Sequence, residues 1–314
     1  GPIRFSLVQW AIENDVFGAS VHGKTASEIA VLTRSSEEKV LRILRALVSL
    51  NMLRFHDEVF RTDPAWVPFL DQRSSQSVVQ TFKDVSKTRH ANLDIFADLV
   101  AGTTTLTTSP SFDAAHWLRQ QRSLQAFHKA VATDVMIDAL QTLPEWNEAV
   151  LVLDIGGGSL ELSRAIVQQR PAARTTLFDL PKMVEGLDKG DTPAMQTHEG
   201  DYNSPETLPD GPFDIIWCSM SLYFARDLLG LFSNLRDRLS PGGVLASFHE
   251  DLTPDRCGPS QHVIGRLVPA LSGKDVSFSG GHIANLMGQV GLHTITSHTI
   301  ETPFGPFRLD AGRR

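Results

Sequence analysis

Two cysteines in 314 residues, Cys218 and Cys257, are too few and too far apart for a disulfide scaffold or a cysteine-rich zinc site. They fit a reducing, cytoplasmic setting. No apolar run approaches the roughly 20 residues needed to cross a bilayer, so no membrane partner is expected. Gly1-Pro2-Ile3-Arg4 lacks the marks of a signal peptide. Basic charge is in short supply: the formal net charge is -7. That balance argues against sequence-independent nucleic-acid binding. Histidines and carboxylates nowhere show metal-ligand spacing, so no metal is expected. Internal repeats and low-complexity tracts are missing as well. What is present is a chain 41% hydrophobic, enough for a well-buried core in each of the two domains its length favours.

The first part reads as helical. Phe5, Leu7, Val8, Ala11, Ile12 and Phe17 give one apolar side to a helix over 5–17, with Gly18 as its stop. Thr25 with Glu28 is a capping box. Ser35-Ser36-Glu37-Glu38 opens a third helix with apolar residues at helical spacing. Leu53–Phe55 and Val59–Arg61, joined at His56-Asp57, form a hairpin. Three helices and a two-stranded wing make a winged helix. Lys39, Arg42 and Arg45 on its third helix are offset by Glu37 and Glu38, so a dimerisation or scaffold module is expected rather than a DNA reader. Residues 75–148 look helical, with a Thr/Ser/Pro-rich connection at Thr103–Ser111 and a long helix at Ser123–Leu143. That helix turns Leu124, Phe127, Val131, Met136 and Leu140 inward. The expected domains are therefore 1–75, winged helix; 76–148, helical linker and substrate roof; and 149–314, catalytic.

From residue 149 strands alternate with helices: strands at Ala149–Ile155, Thr175–Phe178, Phe213–Cys218 and Val244–Phe248, helices to about Gln169 and over Leu228–Leu239, and a turn at Pro241-Gly242-Gly243. Such alternation implies an α/β fold with a parallel sheet. The chemistry sits in Leu153-Asp154-Ile155-Gly156-Gly157-Gly158, a buried strand running into glycines at a helix start. Glycine lets backbone turn tightly and approach a ligand closely. Asp179 follows the second strand, where an acid can accept both hydroxyls of a ribose. The turn begins with an acid suited to the ammonium of a methionine moiety, and no basic residue is there for a pyrophosphate. Gly200-Asp201-Tyr202 lies where an acid and an apolar side chain flank an adenine. These features favour S-adenosylmethionine (SAM) over a dinucleotide.

Those segments, with Leu239-Ser240-Pro241-Gly242-Gly243, resemble the plant and bacterial small-molecule O-methyltransferases of the class I SAM-dependent methyltransferases. Thr25-Ala26-Ser27-Glu28-Ile29-Ala30 is similar to that family's dimerisation domain, and Thr302–Leu309 to the tail of a bacterial subset. The resemblance implies a Rossmann-like SAM-binding domain preceded by an all-helical, winged-helix dimerisation domain, an intertwined homodimer and a small-molecule substrate. It implies SAM contacts at Asp154, Gly156, Gly158, Asp179, Leu180, Asp201, Tyr202, Cys218 and Ser219. The family's third glycine is Leu160 here, a position that serves close helix–strand packing.

The catalytic positions depart further. The family's proton-accepting histidine falls at Tyr223 when counted from Asp214, or at Ser221 when counted back from Pro241. Its orienting acid falls at His249, and a second acid near Ser277. His249 is a candidate general base with Tyr223 as partner, or else a strand-end histidine satisfied by backbone. Tyr223 either transfers a proton or packs. His262 either lines the same pocket or is an exposed helix histidine. His128 lies on the roof helix, and His282 at a solvent-facing helix end. The expectation is methyl transfer to a small, aromatic or otherwise apolar metabolite, on O with N, C or S also open. One alternative keeps bound SAM for a non-methylating rearrangement or decarboxylation. Another is a winged-helix regulator that senses a ligand.

Overall fold

The computed structural model describes residues 1–105, 114–188, 190, 192–273 and 276–314, apart from the side chains of 87–93 and 114–120. The chain divides into two compact units, Gly1–Asp94 and Ile95–Arg314.

In the first unit the expected 5–17 helix is two helices, Pro2–Glu13 and Val16–Ala19. The break is at Asn14-Asp15, upstream of the expected stop at Gly18. Asp15 takes a left-handed backbone, φ 52°, which Asp and Asn tolerate better than most residues. Asn14 Nδ2 donates to the Trp10 carbonyl, which also accepts from the Asn14 amide, closing the end of the first helix. The helix Ala26–Thr33 starts on the capping box: Thr25 accepts from the Glu28 amide, and Glu28 accepts from the Thr25 amide. The helix Glu37–Ser49 follows, then the wing: β1 (Leu53–His56) antiparallel to β2 (Val59–Thr62). The turn falls one residue later than expected. Asp57 and Glu58 both have positive φ, as a two-residue turn matching strand twist requires. Ile12, Phe17, Ile29, Leu44, Leu47 and Phe60 bury fully at the centre.

The second unit carries seven strands in the order β5-β4-β3-β6-β7-β9-β8. β3 (Leu151–Ile155), β4 (Arg174–Asp179), β5 (Met195–Glu199), β6 (Phe213–Ser219) and β7 (Leu239–Glu250) are parallel. The hairpin of β8 (His293–Thr302) and β9 (Gly305–Arg313) closes the sheet antiparallel to β7. Consecutive side chains point to opposite faces, and both faces are covered by helices. On one face Trp217, Val244, Phe248 and Leu309 meet Met136, Ile137 and Ile166. On the other Leu153, Ile216 and Leu245 meet Phe232, Ile283 and Met287 from neighbouring helices. β3 is flanked by β4 on one side and β6 on the other, so strand order reverses there. A crevice opens at the carboxyl ends of such strands.

Pro241-Gly242-Gly243 is not a free turn. It sits inside β7 as an irregularity, with Gly242 at φ 79° and a register shift opposite β6 between Phe213 and Ile215. The expected 123–143 helix begins at Ala114 and is interrupted. It runs to Phe127, widens into a π-helical turn over His128–Ala132, and resumes over Thr133–Gln141. The Thr103–Ser111 connection lies, from residue 106 on, outside the described residues.

Leu44 is fully buried in the first unit. Leu44→Ala is expected to lower unfolding free energy by about 2–5 kcal/mol, the cost of a leucine-to-alanine cavity in a packed core. Urea unfolding followed by circular dichroism measures it, and a loss under about 1 kcal/mol would contradict the packing described.

Candidate active site at the carboxyl ends of the central strands

β3 delivers Asp154 to the crevice one residue before the chain turns. Its side chain is buried, and Oδ2 has no hydrogen-bond partner among the described residues. Burial, reinforced by the neighbouring Asp179 charge, pushes this carboxyl up to about 8. The glycines that follow are each required. Gly156 and Gly158 have φ of 68° and 66°, in the region where side chains strain the backbone. A Cβ on Gly157 would stand 2.2 Å from Asp154 Oδ2. One on Gly156 would meet the Ser221 Cβ at 2.7 Å. The corner is bare because the carboxylate and the Ser221 turn already fill the space beside it.

Asp179 ends β4. Its carboxylate accepts from the amides of Gly158, 2.9 Å, and Leu180, 2.7 Å. Burial raises its pKa against the opposing effect of those two donors. A carboxylate has about four acceptor sites, so two remain for a ligand. Beyond β5, Asp201 accepts from the amide and side chain of Asn203. Tyr202 donates through its hydroxyl to the Ser221 carbonyl at 2.8 Å, tying the third motif to the turn after β6. Burial raises the Tyr202 pKa. Leu180 is partly exposed beside Asp179. Cys218 faces the core and is fully buried, its thiol pKa raised by that burial and by Asp154. The adjacent Ser219 hydroxyl is buried without a partner.

The helix Ala114–Phe127 and its π turn lie over this corner. Leu124 Cδ1 is 3.0 Å from where a Gly158 Cβ would be. Gln121 donates to the carbonyls of Met183 and Glu185, Gln125 to Glu161 Oε1. His128 Nδ1 meets Ser159 Oγ at 2.7 Å. Residues 121, 124, 125 and 128 form one helical face. Both glutamines are polar, so no apolar stripe in the sequence marks this face. Leu160, in place of a third glycine, is buried at the start of the helix Glu161–Gln169.

The histidines separate by their partners. His249 is buried, and its Nε2 accepts from the amides of Ser221 and Leu222, both at 3.2 Å. Its Nδ1 pairs with Ser247 Oγ at 2.9 Å. With Nε2 an acceptor, Nδ1 carries the proton and the ring is neutral. Burial and the Arg266 charge depress its pKa to about 3. Both ring nitrogens are occupied, the arrangement of a strand-end histidine that fixes the turn after β6. His262 is not an exposed helix residue: it is buried, its Nε2 donates to the Pro306 carbonyl at 2.6 Å, and its ring meets Phe307 edge-on. His282 stacks on Phe278 at the start of its helix, and His128 is held neutral by burial at a pKa of about 4.

Tyr223 differs. Its ring stacks on Phe278, meets His249 edge-on at 5.0 Å, and carries the Arg266 guanidinium over its face at 5.0 Å. Its hydroxyl is buried and unpartnered. Met220, three residues earlier, is left-handed at φ 50°. Non-glycine residues held there concentrate at functional sites. Ten buried side-chain polar atoms lack a partner among the described residues. Five of these belong to Asp154, Ser219, Ser221, Tyr223 and Glu250, all at or just past the carboxyl ends of β3, β6 and β7. Buried polar groups are normally satisfied, so this concentration makes the crevice the candidate ligand site. Among the described residues no cluster of histidine, cysteine and carboxylate groups could hold a metal.

Residues 96–297 match the family described as methyltransferase domain. Demethylspheroidene O-methyltransferase of Rhodobacter capsulatus is 23% identical over 252 residues, 77% of this chain and 61% of that protein. The chain spans 29% to 61% of the lengths of the curated relatives it matches. Two solved structures share the fold at 18% identity. An O-methyltransferase family protein of Burkholderia thailandensis superposes with TM-score 0.77, over 99% of this chain and 94% of that one. Human N-acetylserotonin methyltransferase, in complex with SAM, gives 0.76 with the same coverage. The chain belongs to the methyltransferase-domain family.

Proposed function

We propose that the protein is a SAM-dependent methyltransferase acting on a small, aromatic metabolite, as a cytoplasmic homodimer joined through its winged-helix unit. The observation that carries this reading is the row of unpartnered polar atoms around a glycine corner that a Cβ would fill. The residues fit the cofactor. Asp154 would take the ammonium and Asp179 the ribose hydroxyls. Asp201, Tyr202 and Leu180 would border the adenine, with Gly156, Gly158, Cys218 and Ser219 framing the rest. Bound SAM supplies an electrophilic methyl on a sulfonium.

The chain's own part is alignment and proton handling. His249 spends both ring nitrogens on structure, and His262 donates through Nε2 to the Pro306 carbonyl, so His249 orients rather than accepts a substrate proton. Tyr223, with its hydroxyl free and its ring clamped, is the group that faces the reacting atom. A second reading follows from the same observation: without a free imidazole at the strand end, bound SAM could act as a fixed charge in a non-methylating reaction. Incubation with SAM and a panel of phenols, amines and thiols separates the two. Formation of S-adenosylhomocysteine (SAH) in step with product supports methyl transfer; product with SAM intact supports the second reading.

Asp179→Asn is expected to weaken SAM binding roughly ten- to hundredfold, the effect of about 1.5–3 kcal/mol for hydrogen bonds to a charged group. Isothermal calorimetry reads this, and unchanged affinity would remove Asp179 from the site. A pH effect follows from Asp154. Its carboxyl titrates at about 8 in the folded protein against 3.8 ordinarily. Between those values the folded state holds a proton that the unfolded state has lost, so raising pH destabilises the ligand-free fold. Asp154→Asn lacks this titration. Its stability should therefore gain on wild type from pH 4 to 8, as urea midpoints would show, whereas parallel curves would contradict the burial.

A further inference from the structure

Glu250 ends β7, opposite Phe307 of β9. Its side chain is only 8% exposed. One carboxylate oxygen, Oε1, pairs with the guanidinium of Arg266 from the helix Ser260–Leu271. The other, Oε2, is buried with no partner among the described residues. A carboxylate oxygen held out of water without a donor is strongly disfavoured. The described residues supply no donor for it, which leaves the position open to a ligand.

The surroundings indicate its chemistry. Arg266 lies over Tyr223, whose hydroxyl is also unpartnered. Phe307, across from Glu250, stands 5.2 Å from Phe304, which stands 5.6 Å from Phe127 of the roof helix. An acceptor thus borders a series of aromatic faces. His249, not Glu250, occupies the position where the resembled family has its orienting acid, and that acid's task is not the one considered for Glu250.

We propose that Glu250 determines substrate specificity: Oε2 accepts an N–H or O–H of an aromatic substrate, which makes neutral or cationic hydrogen-bond donors the substrate class and excludes analogues without a donor. The proposal rests on the methyltransferase reading above. A site built to hydrogen-bond a group rejects the analogue lacking it far more strongly than an apolar pocket rejects a size change.

The probes are 1-naphthol, 1-naphthylamine and 1-methoxynaphthalene, titrated into the full chain preloaded with SAH. Wild type should bind the two donors at least tenfold more tightly than the ether. Glu250→Gln is nearly isosteric and turns an amide nitrogen toward the ligand if its oxygen stays on Arg266. It should close that gap to about twofold or reverse it, with SAH affinity and melting temperature unchanged. Arg266→Gln leaves the acceptor in place and should retain the gap, which separates loss of the acceptor from loss of the ion pair. Equal binding of all three probes, no binding at millimolar concentration, a gap that survives Glu250→Gln, or a gap lost equally in Arg266→Gln would overturn the proposal. Failure to load SAH sinks the cofactor reading beneath it; SAH loading without discrimination sinks only the role of Glu250.

Discussion

A buried carboxylate beside a backbone corner is the constraint around which the second unit is arranged. Asp154 Oδ2 lies so close to Gly157 that any side chain there would overlap it. The chain must then turn at once, which Gly156 and Gly158 permit through positive φ. Turning brings the Gly158 amide to Asp179, so the second strand end is fixed by the first. The Ser221 turn fills the space beside Gly156, and Tyr202 reaches back to the Ser221 carbonyl. Four segments distant in sequence are thereby held at one point with few side-chain contacts. Burial without a partner disfavours ionisation of this group, and the ammonium proposed to bind there would supply the missing partner.

The roof helix answers the same constraint from above. Leu124 packs against the glycine corner while Gln121, Gln125 and His128 bond to the helix starts and the turn around it. The π-helical turn starts at His128. One extra residue in a helical turn shifts the face that follows it. The polar side that holds the corner can thus give way to the apolar side of Met136, Ile137 and Leu140 that covers the sheet. Local widening of this kind occurs frequently at functional sites.

What the sequence disclosed follows from which signals are local. Glycines, a capping box and a strand with a terminal acid are short patterns, and each forms where expected, with the hairpin turn shifted by one residue. β5, β8 and β9 went unread. β5 is a five-residue strand with mostly polar or exposed residues. β8 is largely exposed, so its face carries no apolar alternation. β9 does alternate at Phe307, Leu309 and Ala311, but the Pro303–Pro306 run before it masks where the strand begins. Asp15 and the π turn depend on a single residue's backbone choice, which periodicity averages away. Partners were illegible altogether: nothing in Phe248-His249-Glu250 tells which of the two polar residues is satisfied by backbone and which keeps an open oxygen.

That distinction decides how the strand end works. His249 lies one residue from Glu250, on the opposite face of β7 by alternation. It spends both nitrogens holding the turn that carries Ser221, Leu222 and Tyr223. Because its pKa is depressed to about 3, this hold persists without a charge through neutral pH. The ring also supports Tyr223 edge-on, while Arg266 covers the tyrosine face and binds Glu250. The histidine therefore supplies rigidity, and the groups left with open valence are a phenol and a carboxylate oxygen. On the reading proposed for Glu250, selectivity at this strand end comes from what a substrate can donate rather than from the protonation state of an imidazole.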